Sequence, residues 1–233
     1  DNLISIITCL LGLGTLFLNQ NYILSFIALL SISGSLLVLI FENDLYGLMH
    51  VYVALYSIGL TCILLNEAKL IASSKKLSKL YNPLRIGFIF SLLFGLFCIG
   101  KKNLLTEDFS PWFSSIVMIP ITLYLISQII KILDVKLTKS KNIIYYLSVL
   151  ILTSTVFSPA ISGALIIILL CFLVNYRTGF VIGIIATIYF ISQYYYDLNL
   201  TLLTKSMILF GSGVVFLLLY FLITKKKNSH EKV

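Results

Sequence analysis

Residues 143–174 read IIYYLSVLILTSTVFSPAISGALIIILLCFLV, and the number of helices they hold decides the architecture. The two apolar halves, 143–157 and 160–174, are each about 22 Å long as helices, short against a hydrocarbon core of about 30 Å. Only Ser158 and Pro159 stand between them. Serine at an N-cap followed by proline at the first helical position is a start signal, because the first turn has no use for the missing proline N–H. The pair predicts a tight helical hairpin. The rival reading is one long kinked span.

Charge chooses between the two. Outward from this stretch, further apolar segments fall at 3–18, 22–41, 45–65, 84–100, 112–133, 179–196 and 206–223, which with the hairpin makes nine spans. One side of the membrane then takes the loops after spans one, three, five and seven, together with the C-terminal tail. Of the 17 basic residues only Lys101, Lys102 and Lys205 fall on the other side, leaving fourteen. Merging the hairpin into one span carries Arg177 and the four tail lysines across and brings Lys205 back, which gives ten against seven. The positive-inside rule favours nine spans with the basic side and the C-terminus in the cytoplasm. Asp1, Glu42, Asp44, Glu107, Asp108 and Asp197 then lie outside, and Glu67, Asp134 and Glu231 inside.

Composition agrees with a polytopic, all-α membrane bundle. The chain is 59% hydrophobic and 11% charged, with mean hydropathy +1.04, whereas a soluble domain carries about 25% charged residues. Helices satisfy their own backbone groups in lipid, and the period-two alternation of an outer-membrane barrel is absent. Residues 1–224 read as one transmembrane domain and 225–233 as a basic tail. The net charge of +8 sits in short loops, so it reads as an orientation signal rather than a nucleic-acid surface. Cys9, Cys62, Cys98 and Cys171 fall inside apolar spans without CxxC spacing, as small buried hydrophobes. The first residue is Asp1 and the amino end falls outside, which leads us to expect a processed or shortened chain with a further helix upstream. No basic stretch precedes the first apolar run, unlike an intact signal peptide. Residues 66–83 read either as a short amphipathic helix on the inner leaflet or as a solvated connector. No internal repeat of the transporter kind is visible.

The residues that could carry chemistry cluster on the outer side. Tyr194, Tyr195 and Tyr196 close span eight at headgroup level, with Asp197 just beyond. Lys205 follows at the start of span nine. Its stem can snorkel outward, or its ammonium can join an outer polar cluster with Asp197, His50, Glu107 and Asp108. Glu42, Asp44 and His50 are candidate metal ligands by residue type, but their spacing matches no metal motif, and no metal or other cofactor is expected. Tyr196-Asp197 is like the first motif of presenilin-type proteases, yet FGSGVV at 210–215 lacks the second aspartate. Gly211-Ser212-Gly213 misses the rhomboid spacing, and HExxH is absent. Gly179 and Gly183, and Gly211 and Gly213, read as helix-packing positions. Pro120 reads as a kink in span five, and Gln128 as a polar residue near its inner end.

Ser158-Pro159 at a helix start, Tyr195-Tyr196-x-Leu198 and Leu202-Leu203-x-Lys205-Ser206 together carry a resemblance over about 143–223. The chain there resembles a family of bacterial inner-membrane proteins built on a multi-span domain of unknown function, often found near GDYxxLxY-type membrane proteins. The resemblance implies a bacterial plasma-membrane location, favours the separate hairpin and supplies no activity. Relative to that family the amino-terminal part looks shortened. The expectation is a non-enzymatic membrane component or scaffold, in contact with the lipid bilayer and other membrane proteins. A small-solute carrier or a lipid-modifying enzyme with an outward-facing site is the alternative.

Overall fold

The computed structural model describes residues 2–18, 21–101, 110, 112–134, 138–197, 201, 203–207, 210–211, 213–214 and 217. Nine helices are defined among them. They are α1 (Asn2–Leu18), α2 (Tyr22–Glu42), α3 (Leu48–Leu65), α4 (Glu67–Ser73), α5 (Lys75–Gly100), α6 (Trp112–Ile132), α7 (Thr138–Ser154), α8 (Pro159–Leu173) and α9 (Arg177–Asp197). The chain divides into two compact units, residues 1–194 and 195–233. Among the described residues there is no strand.

Five helices, α2, α3, α5, α6 and α9, are long and apolar enough to cross a membrane. The expected count of nine spans is therefore not met by length. Helices α1 and α8 are shorter apolar helices, as is the apolar part of α7, and span nine lies largely outside the described residues. One boundary moves substantially: span four was expected to begin at 84, but α5 begins at Lys75. The Ser74 side chain accepts a hydrogen bond from the Leu77 amide at 3.1 Å and caps the helix there. The helix then runs on through Pro83, which withholds a backbone donor without ending it. Residues 67–73 do form a separate short helix, α4. Helix α6 likewise continues through Pro120.

The hairpin at 155–158 is present. After α7 ends at Ser154, the Val156 carbonyl accepts from the Ser115 hydroxyl at 2.7 Å, which ties the turn to the start of α6. Ser162, in the first turn of α8, lies 3.5 Å from Met118 Sδ, also near the start of α6. Helix α7 thus returns from the end of α6 to its beginning, and α8 then runs beside α6 in the same direction. Polar contacts elsewhere join helix ends in the same alternating order. Asn2 and Asn43 exchange amide hydrogen bonds at 2.9 and 3.0 Å, pairing the start of α1 with the end of α2.

Helix α8 is the centre of the first unit. It packs against α3, α5 and α6 and buries Ala160, Ser162, Gly163, Ala164, Ile166, Ile167, Leu170 and Cys171. A helix apolar on every face belongs inside a bundle, so its short length need not match the lipid. The outer surface is as apolar as the inner one: Leu18 is 84% exposed, Tyr146 77% and Phe157 71%. Water does not solvate such a surface, whereas acyl chains do.

Candidate functional site

Helix α5 carries GFIFSLLFG, residues 87–95, with small residues Gly87, Ser91 and Gly95 every fourth position and so on one face. Two neighbours press against that face. A side-chain carbon at Gly87 would collide with the Leu29 side chain of α2. One at Gly95 would stand 2.6 Å from the Tyr52 ring and 3.0 Å from Val53, both on α3. The close approach lets two tyrosines enter the bundle. Tyr52 is 5% exposed and Tyr56 4%, and their ring centroids are 4.5 Å apart. The Tyr52 hydroxyl donates to the Ser91 carbonyl oxygen across the interface at 3.1 Å. Ser33 of α2 is buried on the same side and belongs electrostatically to the same group. Its hydroxyl donates to the Leu30 carbonyl at 3.0 Å, and the Ser91 side chain, also buried, interacts with Tyr56.

This hydroxyl seam lies near the middle of α2, α3 and α5. Beside it, between α2 and α3, opens a cleft of about 420 Å³ lined by Leu36, Leu39, Val51 and Leu55 and reaching Tyr52 and Tyr56. A second cleft of about 470 Å³ lies between Phe90, Phe94 and Phe97 of α5 and Ile182, Ile185 and Tyr189 of α9. The Tyr–Ser seam went unread in the sequence, although the Gly87–Ser91–Gly95 spacing was there to signal it.

Of the expected outer cluster, His50, Asp197 and Lys205 are among the described residues. His50 is in the first turn of α3, with its Nδ1 2.7 Å from the Ser114 hydroxyl of α6 and its ring edge-on to Phe113 at 5.7 Å. Lys205 and Asp197 belong to the second unit, and Glu107 and Asp108 lie outside the described residues. Lys205 is 9% exposed, and its ammonium donates to the Tyr196 carbonyl at 3.2 Å and stands 5.2 Å from the Tyr195 ring centroid. Among the described residues no group of three or more His, Cys, Asp or Glu gathers as a metal site. Asp44 takes a left-handed backbone, φ 53°, and accepts from the Tyr46 hydroxyl at 2.9 Å. That hydrogen bond, with minor burial and charge effects, raises the Tyr46 pKa. The contact therefore persists below the ordinary phenol value of about 10 and is lost as pH rises through the higher folded value.

The packing glycines also divide. A side-chain carbon at Gly183 would lie 2.8 Å from the Ile168 side chain and 3.2 Å from its backbone nitrogen, so α9 sits hard against α8 there. At Gly179 the same carbon would stand 2.5 Å from Cys171 Sγ and 2.6 Å from the Tyr176 ring. At Gly211 and Gly213 the same carbon meets nothing within 4 Å, so the described structure gives them no packing role.

Set against known proteins, the chain has no match among curated proteins or solved structures. A family model does match, over residues 1–226, nearly the whole of this helical chain. The protein belongs to the family described as Domain of unknown function (DUF4401).

Proposed function

We propose that this protein is a non-catalytic integral component of the bacterial plasma membrane, a frame against which other membrane proteins assemble. In this reading residues 1–224 form one transmembrane domain that crosses nine times, with residues 225–233 as a cytoplasmic tail. The short helices cross because protein neighbours and local bilayer thinning accommodate them. The fourteen-to-three division of basic residues supports the orientation.

What carries the reading is the use the first unit makes of its buried polar groups. They are serines and threonines, joined by Tyr52, Tyr56 and Tyr81. Several of these serine and threonine hydroxyls donate to a carbonyl one turn earlier, as Ser57 does to Ala54, Thr122 to Met118 and Thr155 to Leu152, and Ser115 donates across to the Val156 carbonyl. Hydroxyls spent this way are satisfied within the bundle and exchange no protons near neutral pH.

One observation favours a second reading, a small-solute carrier: the 420 Å³ cleft reaches the hydroxyl seam at mid-bundle. A triple variant, Tyr52→Phe, Tyr56→Phe and Ser91→Ala, separates the two. A deletion strain carrying it at wild-type protein level should be fully complemented if the chain is a frame. Loss of complementation at unchanged abundance would instead select the carrier.

A further inference from the structure

Arg85 projects from the first third of α5, between two aromatic rings. Its guanidinium carbon lies 3.9 Å from the centroid of Tyr176, which precedes α9, and 5.4 Å from that of Tyr81 on its own helix. Rings on two sides hold a guanidinium plane in place while leaving its N–H edge free to bond. Arg85 Nε is buried and has no hydrogen-bond partner among the described residues, while the hydroxyl of Tyr81, a residue only 3% exposed, interacts with both Glu67 and Arg85. A buried guanidinium N–H left unpaired in a well-packed bundle is costly unless something outside the chain completes it.

The surroundings indicate the sign of that missing group. Lys75, Lys76 and Lys79 lie on the first turns of α5, and Arg177 opens α9 directly after Tyr176. The amino end of α9 adds partial positive charge. The opposing charge is Glu67 of α4, which bears on the Tyr81 hydroxyl, yet among the described residues Arg85 has no ion pair with it. A planar guanidinium with a neighbouring phenol donor matches a phosphate oxyanion. Membrane surface on the basic side supplies such groups as phosphodiester headgroups.

We infer that Arg85, Tyr81 and Tyr176 form a phosphate-binding site that takes the headgroup of an anionic phospholipid at the basic face of the bundle. Arg85 supplies charge and a forked pair of donors, Tyr81 donates its hydroxyl, and Tyr176 fixes the guanidinium plane. Glu67 acts against binding and keeps the site selective for a ligand that brings several acceptors.

Native mass spectrometry of the full chain in mild detergent tests this, with phosphatidylglycerol and phosphatidylcholine of identical chains titrated in parallel. The wild type should retain phosphatidylglycerol preferentially, and R85Q should reduce that preference about tenfold. R85K, which keeps the charge but loses the fork, should fall between them, and E67Q should bind more tightly than wild type. K131Q, which removes an exposed charge from the last turn of α6, should leave the preference unchanged. If R85Q does not fold, Y176L and E67Q still decide the matter: weaker retention in the first and stronger in the second support the site. Displacement of the lipid by millimolar inorganic phosphate would assign the same oxyanion site to soluble phosphate. Equal lipid preference in wild type and R85Q, or an equal loss in K131Q, would overturn the proposal in favour of diffuse surface charge.

Discussion

At Gly95 one hydrogen atom separates a close contact from a clash. The Tyr52 ring lies 2.6 Å from where a side-chain carbon would stand, and the Tyr52 hydroxyl depends on that approach to reach the Ser91 carbonyl. Gly95→Ala should therefore overpack the α3–α5 interface at a cost of about 1–3 kcal/mol. The expected readout is a lower thermal unfolding midpoint in detergent. Gly14→Ala, in open space on α1, should leave the midpoint unchanged or raise it; equal shifts in the two variants would remove the argument. Lys205 poses the opposite question, about a charge that is kept. Its ammonium meets the Tyr196 carbonyl and the Tyr195 ring. Lys205→Met should cost about 1 kcal/mol or more, while Lys205→Arg should retain most of the stability. If Met is tolerated as well as Arg, these contacts are incidental and the lysine is a membrane anchor. The sequence made Lys205 conspicuous because it interrupts an apolar run. It could not make Tyr52 conspicuous, because a tyrosine in an apolar helix also reads as a ring at the interface.

At the scale of elements, legibility followed hydropathy and failed where packing decides. The Ser158-Pro159 break was readable because its signal is local: a cap and a missing N–H within two residues. The start of α5 was misplaced because hydropathy falls across 75–83, while the helix there is set by Ser74 and by packing rather than by apolar content. Gly179 and Gly183 were readable as a pair four residues apart, and the second does sit against the α8 backbone. The same spacing rule applied to Gly87, Ser91 and Gly95 passed unnoticed, since a serine in the middle hides a ladder of small residues. Gly211 and Gly213 are spaced by two, which places them on different faces of a helix, and among the described residues nothing lies within 4 Å of a side-chain carbon at either.

For the molecule as a whole, topology is the property that sequence and structure constrain jointly. The charge division gives a direction, and the contacts among Ser115, Val156, Met118 and Ser162 give the alternation around the hairpin. Single cysteines placed at 107, 157 and 197 should react with an impermeant reagent added outside intact cells. Cysteines at 138 and 228 should react only after permeabilisation. Labelling at 138 from outside would reverse the orientation, and protection at 157 and 197 together with outside labelling at 228 would bring back the single kinked span. The candidate site was less legible than the fold, because its polar groups are hydroxyls and aromatic rings that membrane helices also use for packing. Arg85 shows the difficulty: in the sequence it counts as one more positive charge in a basic loop, and only the fold brings Tyr176, some ninety positions later, over its guanidinium.

The central place of α8 has a consequence for how the chain is made. Its partners α3, α5 and α6 leave the ribosome first, so the early product is a ring of helices around a vacant slot. The leucine side chain of residue 96, which packs against Gly163, has lipid or nothing beside it until α8 arrives. A nascent chain arrested before residue 159 is thus a natural target for membrane quality control. For the same reason the gene should tolerate being cut in two between α6 and α7. The amino-terminal fragment would wait for the carboxy-terminal one to supply the plug, and the two would be rescued from degradation only when translated together.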